Sequence, residues 1–380
     1  MQRDLLRRIE AATPSGRDRG VDALRALAIG GVVLGHWLVS ALVTDSGTLY
    51  VTSPLRHMPY LAPASWIFQT MALFFLVGGQ MAATSHTRAR ARGLSYARWL
   101  GGRTARLFRP VGAVLAVWAL AAAAMLAFGA DLQTVNALAK LVWSPLWFLL
   151  VFSALTAATP LVAGLHPVWP LAAVAVVDLV RFGVGGPDWI GWVNVAAGWL
   201  VPYCLGAAWS RGRLRGRATG WTLLIGGAAA AAALVLWAGY PASMVGVPGA
   251  PISNQSPPTI AAVAFGLAQC GAALLLLGPL RRALARPAAW AAVATANLSA
   301  MPIYLWHQTA MIAVTALGLL AGRPLPGLHT VPDGPAWVLA RLAWLPAFAL
   351  ALLACCAALM PPFRGGLAGA RRDRTFVEGR

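Results

Sequence analysis

Arg25 and His36 stand eleven positions apart in the run DALRALAIGGVVLGHWL, residues 22–38. In an α-helix, eleven steps of about 100° return to within ~20° of the starting face and rise roughly 16 Å. Asp22 lies within ~40° of the His36 direction by the same geometry. One helix face thus carries a carboxylate, a guanidinium and an imidazole at increasing depth. A guanidinium holds anions through a rigid fork of donors, and a neutral imidazole accepts a proton. The pair describes a base set beyond an anion-binding group. The plainer readings are a snorkelling arginine paired with Asp22 and a histidine hydrogen-bonded between helices. The shared face favours a common site.

Three other stretches could join them. In MALFFLVGGQMAA, residues 71–83, Gly78 and Gly79 permit close approach of a neighbouring helix or of a thin ligand. Gln80 beside them needs a polar partner. In RTARLFRP, residues 103–110, Arg103 and Arg106 are helical neighbours whose forks suit phosphates; the alternative is charge that only sets topology and meets anionic lipid. In MPIYLWHQTAM, residues 301–311, Tyr304, Trp306, His307 and Gln308 cluster hydrogen-bonding groups that are expensive in lipid unless they line a cavity.

The elements that must position these residues follow from composition. Of 380 residues, 59% are hydrophobic and 11% charged, and mean hydropathy is +0.68. A soluble domain needs roughly a quarter of its residues charged. The chain therefore reads as an all-α, polytopic membrane helical bundle of about ten transmembrane helices, because backbone in hydrocarbon must satisfy its own hydrogen bonds. The spans fall near 22–43, 61–83, 110–129, 136–159, 168–182, 189–209, 219–239, 258–279, 294–321 and 336–360. The membrane domain occupies 22–360, between a basic N-terminal segment, 1–21, and a basic tail, 361–380. The first 20 residues hold no apolar run, so no cleavable leader is expected.

Net charge is +19. Its distribution argues against nucleic acid as a partner and for the positive-inside rule. Arginines gather in 84–109, in 210–218 (Arg211, Arg213, Arg215, Arg217), in 280–287 and in the tail (Arg371, Arg372, Arg374), whereas the opposite loops hold only Arg56 and Arg323. This places both termini in the cytoplasm and the chain in the cell membrane. Asp178 and Arg181 read as a structural i,i+3 pair, and Arg341 as an arginine snorkelling from the outer side. The loop 240–257, rich in Pro, Gly and Ser, is either a connector or a cover over an outward-opening site. The four cysteines form no CxxC pair, and no metal site is legible.

In order along the chain, these residues resemble the integral-membrane acyltransferase-3 family. The family's Arg–ten residues–His signature corresponds to Arg25 and His36. FFLVGG (74–79), RTARLFRP (103–110), LWFLLVF (146–152) and YLWH (304–307) resemble its later landmarks. Gly78 stands where the family commonly has Ser. The resemblance implies transfer of an acyl group, usually acetyl from acetyl-CoA, to a hydroxyl of a sugar, glycan, lipid or macrolide-like acceptor. It implies His36 as catalytic base and Arg25 holding it or the donor. Arg103 and Arg106 would contact the donor's phosphates, and Trp306 and His307 would line the cavity. The pantetheine arm would pass Gly78 and Gly79, and Trp306, Gln80 or Gln308 would steady the thioester oxygen. The competing class is a transporter or flippase using the intramembrane Arg and His as a pathway. No internal repeat or matching pair of broken helices supports it.

Overall fold

A computed structural model describes residues 2–45, 48–214 and 216–359. Arg215 and the tail, with Arg371, Arg372 and Arg374, lie outside the described residues. Among the described residues, nine helical segments are long and apolar enough to cross a membrane. In chain order the elements that matter are α1 (Gln2–Ala11), α2 (Arg19–Val39), β1 (Ala41–Asp45), β2 (Thr48–Thr52), α3 (Met71–Ala91), α4 (Tyr96–Ala127), α5 (Leu132–Trp143), α6 (Trp147–Ala157), α7 (Val168–Asp178), α8 (Val193–Ser210), α9 (Arg217–Trp237), α10 (Ile260–Ala283), α11 (Pro287–Leu298), α12 (Ala300–Gly318) and α13 (Pro335–Leu359).

The fifth expected span, 168–182, is shorter than the rest and is not among these nine. Its helix α7 has eleven residues and continues as one π-helical turn, Leu179–Gly183. That gives a length of about 24 Å, less than the ~30 Å hydrocarbon core. The first span also ends early. Residues 41–45 pair antiparallel with 48–52 as a two-stranded hairpin, because Val, Leu, Tyr and Thr in alternation suit a pleated ribbon better than a helix end. The expected span 136–159 is broken by a 3₁₀ turn at Ser144–Leu146, where Pro145 cannot donate to the helical ladder.

Capping side chains explain several helix starts. Ser95, Asp131 and Thr259 accept from Arg98, Thr134 and Ala262 amides at the starts of α4, α5 and α10. Asp18 caps α2, accepting from the Gly20 amide at 2.9 Å and pairing with Arg281 of α10. Burial alone pushes the Asp18 carboxyl up, but Arg281 and the amides of Gly20 and Val21 outweigh it and hold the carboxyl below its ordinary range. The folded form thus favours the ionised cap. Its stabilisation is full above the unfolded value near ~3.9 and fades as pH falls through the lower folded value. Asp18→Ala is expected to cost about 1 kcal/mol at neutral pH and little under strongly acidic conditions; thermal unfolding at both pH values checks this.

The loop 240–257 is held down rather than loose. Asn254 donates to the carbonyls of Pro241 (2.6 Å) and Ser243 (3.0 Å), the Met244 amide donates to Ser65 Oγ (2.8 Å), and Trp66 Nε1 donates to the Ala242 carbonyl (2.7 Å). Asp178 anchors the same end, accepting from Asn194, Tyr240 and the Ile260 amide. Its expected partner Arg181 instead reaches Asp188 at 3.7 Å. Arg341 does not snorkel: it is 1% exposed. The main core joins Ile29 and Val33 of α2, Phe75 of α3, Phe148 of α6, Trp199 and Tyr203 of α8, and Tyr304 and Leu305 of α12.

Candidate active site

A cavity of about 330 Å³ lies between α2, α3, α4, α6 and α12. Arg25, Arg103 and Arg106 all line it, together with Gly78, Phe148 and Tyr304. Arginines from two helices therefore converge on one space that is otherwise largely apolar. Among the described residues, no carboxylate lines this cavity. Each arginine is held by neutral groups. Arg25 Nη2 donates to the Asn297 carbonyl at 3.2 Å, Arg103 Nη1 to Ser85 Oγ at 2.5 Å, and Arg106 Nε to the Gly102 carbonyl at 2.8 Å. Asp22, the expected partner of Arg25, is instead engaged at both oxygens by Arg17, at 2.6 and 3.0 Å. Three cations that form no direct ion pair among the described residues are suited to an anionic ligand.

Local packing fixes these groups. Asn297, in the last turn of α11, donates to the Asp22 carbonyl at 2.8 Å, which docks the end of α11 on α2 beside Arg25. Trp99 Nε1 shares Ser85 Oγ with Arg103, at 3.0 Å, and the Arg103 guanidinium sits 5.6 Å from the Trp99 ring centroid. The Tyr304 hydroxyl donates to the Pro145 carbonyl at the break between α5 and α6.

The cavity wall at Tyr304 leads to a histidine pair. The Tyr304 ring is 6.0 Å from that of His307, which is 5.1 Å from that of His36. His307 is 1% exposed, and His36 is half-buried. His307 Nδ1 lies 2.6 Å from the Tyr304 carbonyl, so it must carry the proton and donate. That leaves His307 Nε2 as a bare acceptor, and no protein group satisfies it among the described residues. Neither histidine lines the arginine-walled cavity itself; the Tyr304 ring stands at the junction.

The remaining candidates separate. Gly78 lines the cavity, where a Cβ would meet the Phe152 ring edge. Gly79 faces away, its backbone against the Tyr203 carbonyl of α8. Gln80 does not line the cavity. Trp306 and Gln308 are buried on α12, 1% and 2% exposed, with Trp306 Nε1 and Gln308 Oε1 unpartnered among the described residues; neither lines the cavity.

Sequence reasoning did not single out Ser153 and Thr156 of α6, which also line the cavity. A helical serine commonly back-bonds to the preceding turn, yet Ser153 Oγ is enclosed and has no hydrogen-bond partner among the described residues, whereas Thr156 donates to the Phe152 carbonyl at 2.8 Å. The available signal was a hydroxyl directly following LWFLLVF.

No curated protein and no solved structure matches the chain. A family model described as an acyltransferase domain does match, over residues 18–360, nearly the whole chain and every element that lines the cavity. The chain belongs to the acyltransferase-3 family, and it is a polytopic membrane acyltransferase.

Proposed function

We propose that this acyltransferase takes an acyl group, acetyl in the first instance, from cytosolic acyl-CoA and moves it to a hydroxyl of a sugar, glycan, lipid or macrolide-like acceptor. One observation supports the reading: three arginines, none ion-paired with a carboxylate among the described residues, wall a cavity whose lining residue Tyr304 packs toward His307 and, beyond it, His36. Phosphates are the anions that guanidinium forks suit best. The apolar interior beyond them suits a thin, uncharged arm carrying a thioester. Gly78 keeps that passage open, and the Ser153 hydroxyl supplies a donor for an amide or carbonyl along it.

The chemistry assigned to His36 follows from its neighbour. His307 spends its proton on the Tyr304 carbonyl, so its Nε2 accepts. An N–H of His36 turned toward that nitrogen donates to it, which leaves the other His36 nitrogen as the base. The acceptor O–H gives its proton to His36 while its oxygen attacks the thioester carbonyl. The tetrahedral intermediate collapses, the C–S bond breaks, and the thiolate takes the proton back as CoA thiol. A buried donor near the carbonyl oxygen stabilises the developing charge, and Trp306 Nε1, unpartnered among the described residues, is a donor on the same helix as His307.

The test is transfer of radiolabel from acetyl-CoA to a panel of hydroxylated acceptors by the protein in nanodiscs, comparing wild type with Arg103→Gln and Arg106→Gln. Losing one charge-assisted contact is expected to raise KM for acetyl-CoA about 10–100-fold, with kcat changed much less. Labelling with unchanged KM would remove the phosphate role of these arginines. An absence of labelling from any acyl-CoA would remove the donor.

A further inference from the structure

Arg341 of α13 is the most buried cation among the described residues. It is 1% exposed, and no carboxylate pairs with it among the described residues. A buried arginine with no counter-ion is expensive unless its donors are satisfied. Here they go to backbone. Nε donates to the Trp37 carbonyl (2.7 Å), Nη2 to the Ser40 carbonyl (2.6 Å), and Nη1 to the Gly327 carbonyl (2.8 Å). Nη2 also approaches Met311 Sδ of α12 at 2.9 Å. The guanidinium is sandwiched by Phe348, 4.7 Å to the ring centroid, and Trp337 at 5.7 Å.

Two of those carbonyls close the C-terminus of α2, where helical carbonyls lack amide partners and a cation complements the dipole. Trp37 is the residue after His36. Its ring nitrogen donates to the His307 carbonyl at 2.8 Å, and its ring packs on Phe348 at 5.5 Å. A single guanidinium therefore grips the end of the helix that presents His36, touches the helix that presents His307, and shares an aromatic wall with the residue that links them.

We propose that Arg341 is a positioning residue that sets the rotation and height of α2 against α12, and so the mutual geometry of the His36 and His307 rings. The inference rests on the acyl-transfer reading only for its kinetic consequence; the ring geometry is measurable without it. A charge at a helix end fixed by three carbonyls resists both sliding and turning of α2, which a neutral side chain of similar length does not.

The experiment compares wild type, Arg341→Met and Arg341→Lys in lipid, each confirmed as folded by its thermal transition. Histidine-selective ¹⁵N solid-state NMR reads the rings. In Arg341→Met the His36 and His307 signals should shift and broaden while those of His57, His86 and His166 stay in place. Arg341→Lys keeps a cation at the helix end and should restore them in part. Kinetically, kcat should fall about 100-fold in Arg341→Met, the typical consequence of a misplaced catalytic group, with KM for acetyl-CoA within about threefold. Unchanged His36 and His307 signals in a folded Arg341→Met or Arg341→Lys protein overturn the proposal. So does a loss of kcat that merely tracks the loss of folded protein. If wild type transfers no acyl group, the functional reading fails and the ring signals alone decide the role of Arg341.

Discussion

His36→Ala is expected to lower kcat for acyl transfer by about 10²–10⁴, the contribution typical of a positioned general base, while leaving acyl-CoA binding nearly intact. The separation of effects follows from geometry. The arginines and Gly78 line the cavity proposed for the donor, and His36 does not. Its ring packs near that of His307, which in turn packs near Tyr304 of the cavity wall. Removing the imidazole therefore takes nothing from the donor's phosphates or arm. His307→Ala should be milder in kcat than His36→Ala, since it removes an orienting acceptor and leaves the base. His307→Gln should recover part of the loss, because an amide oxygen replaces the bare Nε2. Tryptophan fluorescence titration with CoA, read beside single-turnover transfer of radiolabelled acetyl, separates binding from chemistry. Wild-type transfer rates in His36→Ala would end the assignment of His36 as base. A large loss of CoA affinity in the same variant would move the histidine into the donor site.

Much of this arrangement is legible in the residues themselves. The apolar runs identify the long helices because lipid admits little else; α10 and α13 lie where their runs predict, whereas α2 stops at Val39, short of its run, and α4 begins at Tyr96, well before the expected start at 110. Where the chain departs, local physics outweighs mean hydropathy: Pro145 breaks one span, an alternating β-branched stretch ends another, and α7 is too short to reach across alone. At the site, periodicity relates positions within one helix and cannot say which helix lies opposite. Arg25 and Arg103 meet at one cavity although they belong to distant segments, and their meeting depends on the packing of α2, α3 and α4. Asp22 looks like the partner of Arg25 by spacing, but Arg17 reaches it first with a bidentate grip. Arg341 resembles an interfacial arginine in sequence. Only the fold delivers the unpaired carbonyls of a neighbouring helix to it.

The adjacent glycines show the same limit at its sharpest, and they give the second large effect. Gly78 and Gly79 differ by about 100° around α3, and that angle separates two roles. Gly79 packs against the Tyr203 backbone of α8, and on the other side Gly206 of α8 packs against the Leu76 carbonyl and the Gln80 amide. The contact is reciprocal, backbone on backbone, so no side chain exists to move aside. Gly79→Ala must push two spanning helices apart and is expected to destabilise the protein by about 3 kcal/mol, the upper range for overpacking; Gly206→Ala should behave alike. Gly78→Ala meets only the edge of the Phe152 ring, a side chain that must turn to admit the methyl. Its cost in stability should be under about 1 kcal/mol, but the methyl and the displaced ring both enter the cavity. A narrower passage should raise KM for acyl-CoA several-fold, and more for longer acyl chains than for acetyl. Thermal unfolding in detergent and donor-length kinetics on the two variants measure these outcomes side by side. A stable Gly79→Ala protein would mean that α3 and α8 are farther apart than the backbone contact implies. An unfolded Gly78→Ala protein would turn the cavity wall into a packing interface and leave the donor without its path.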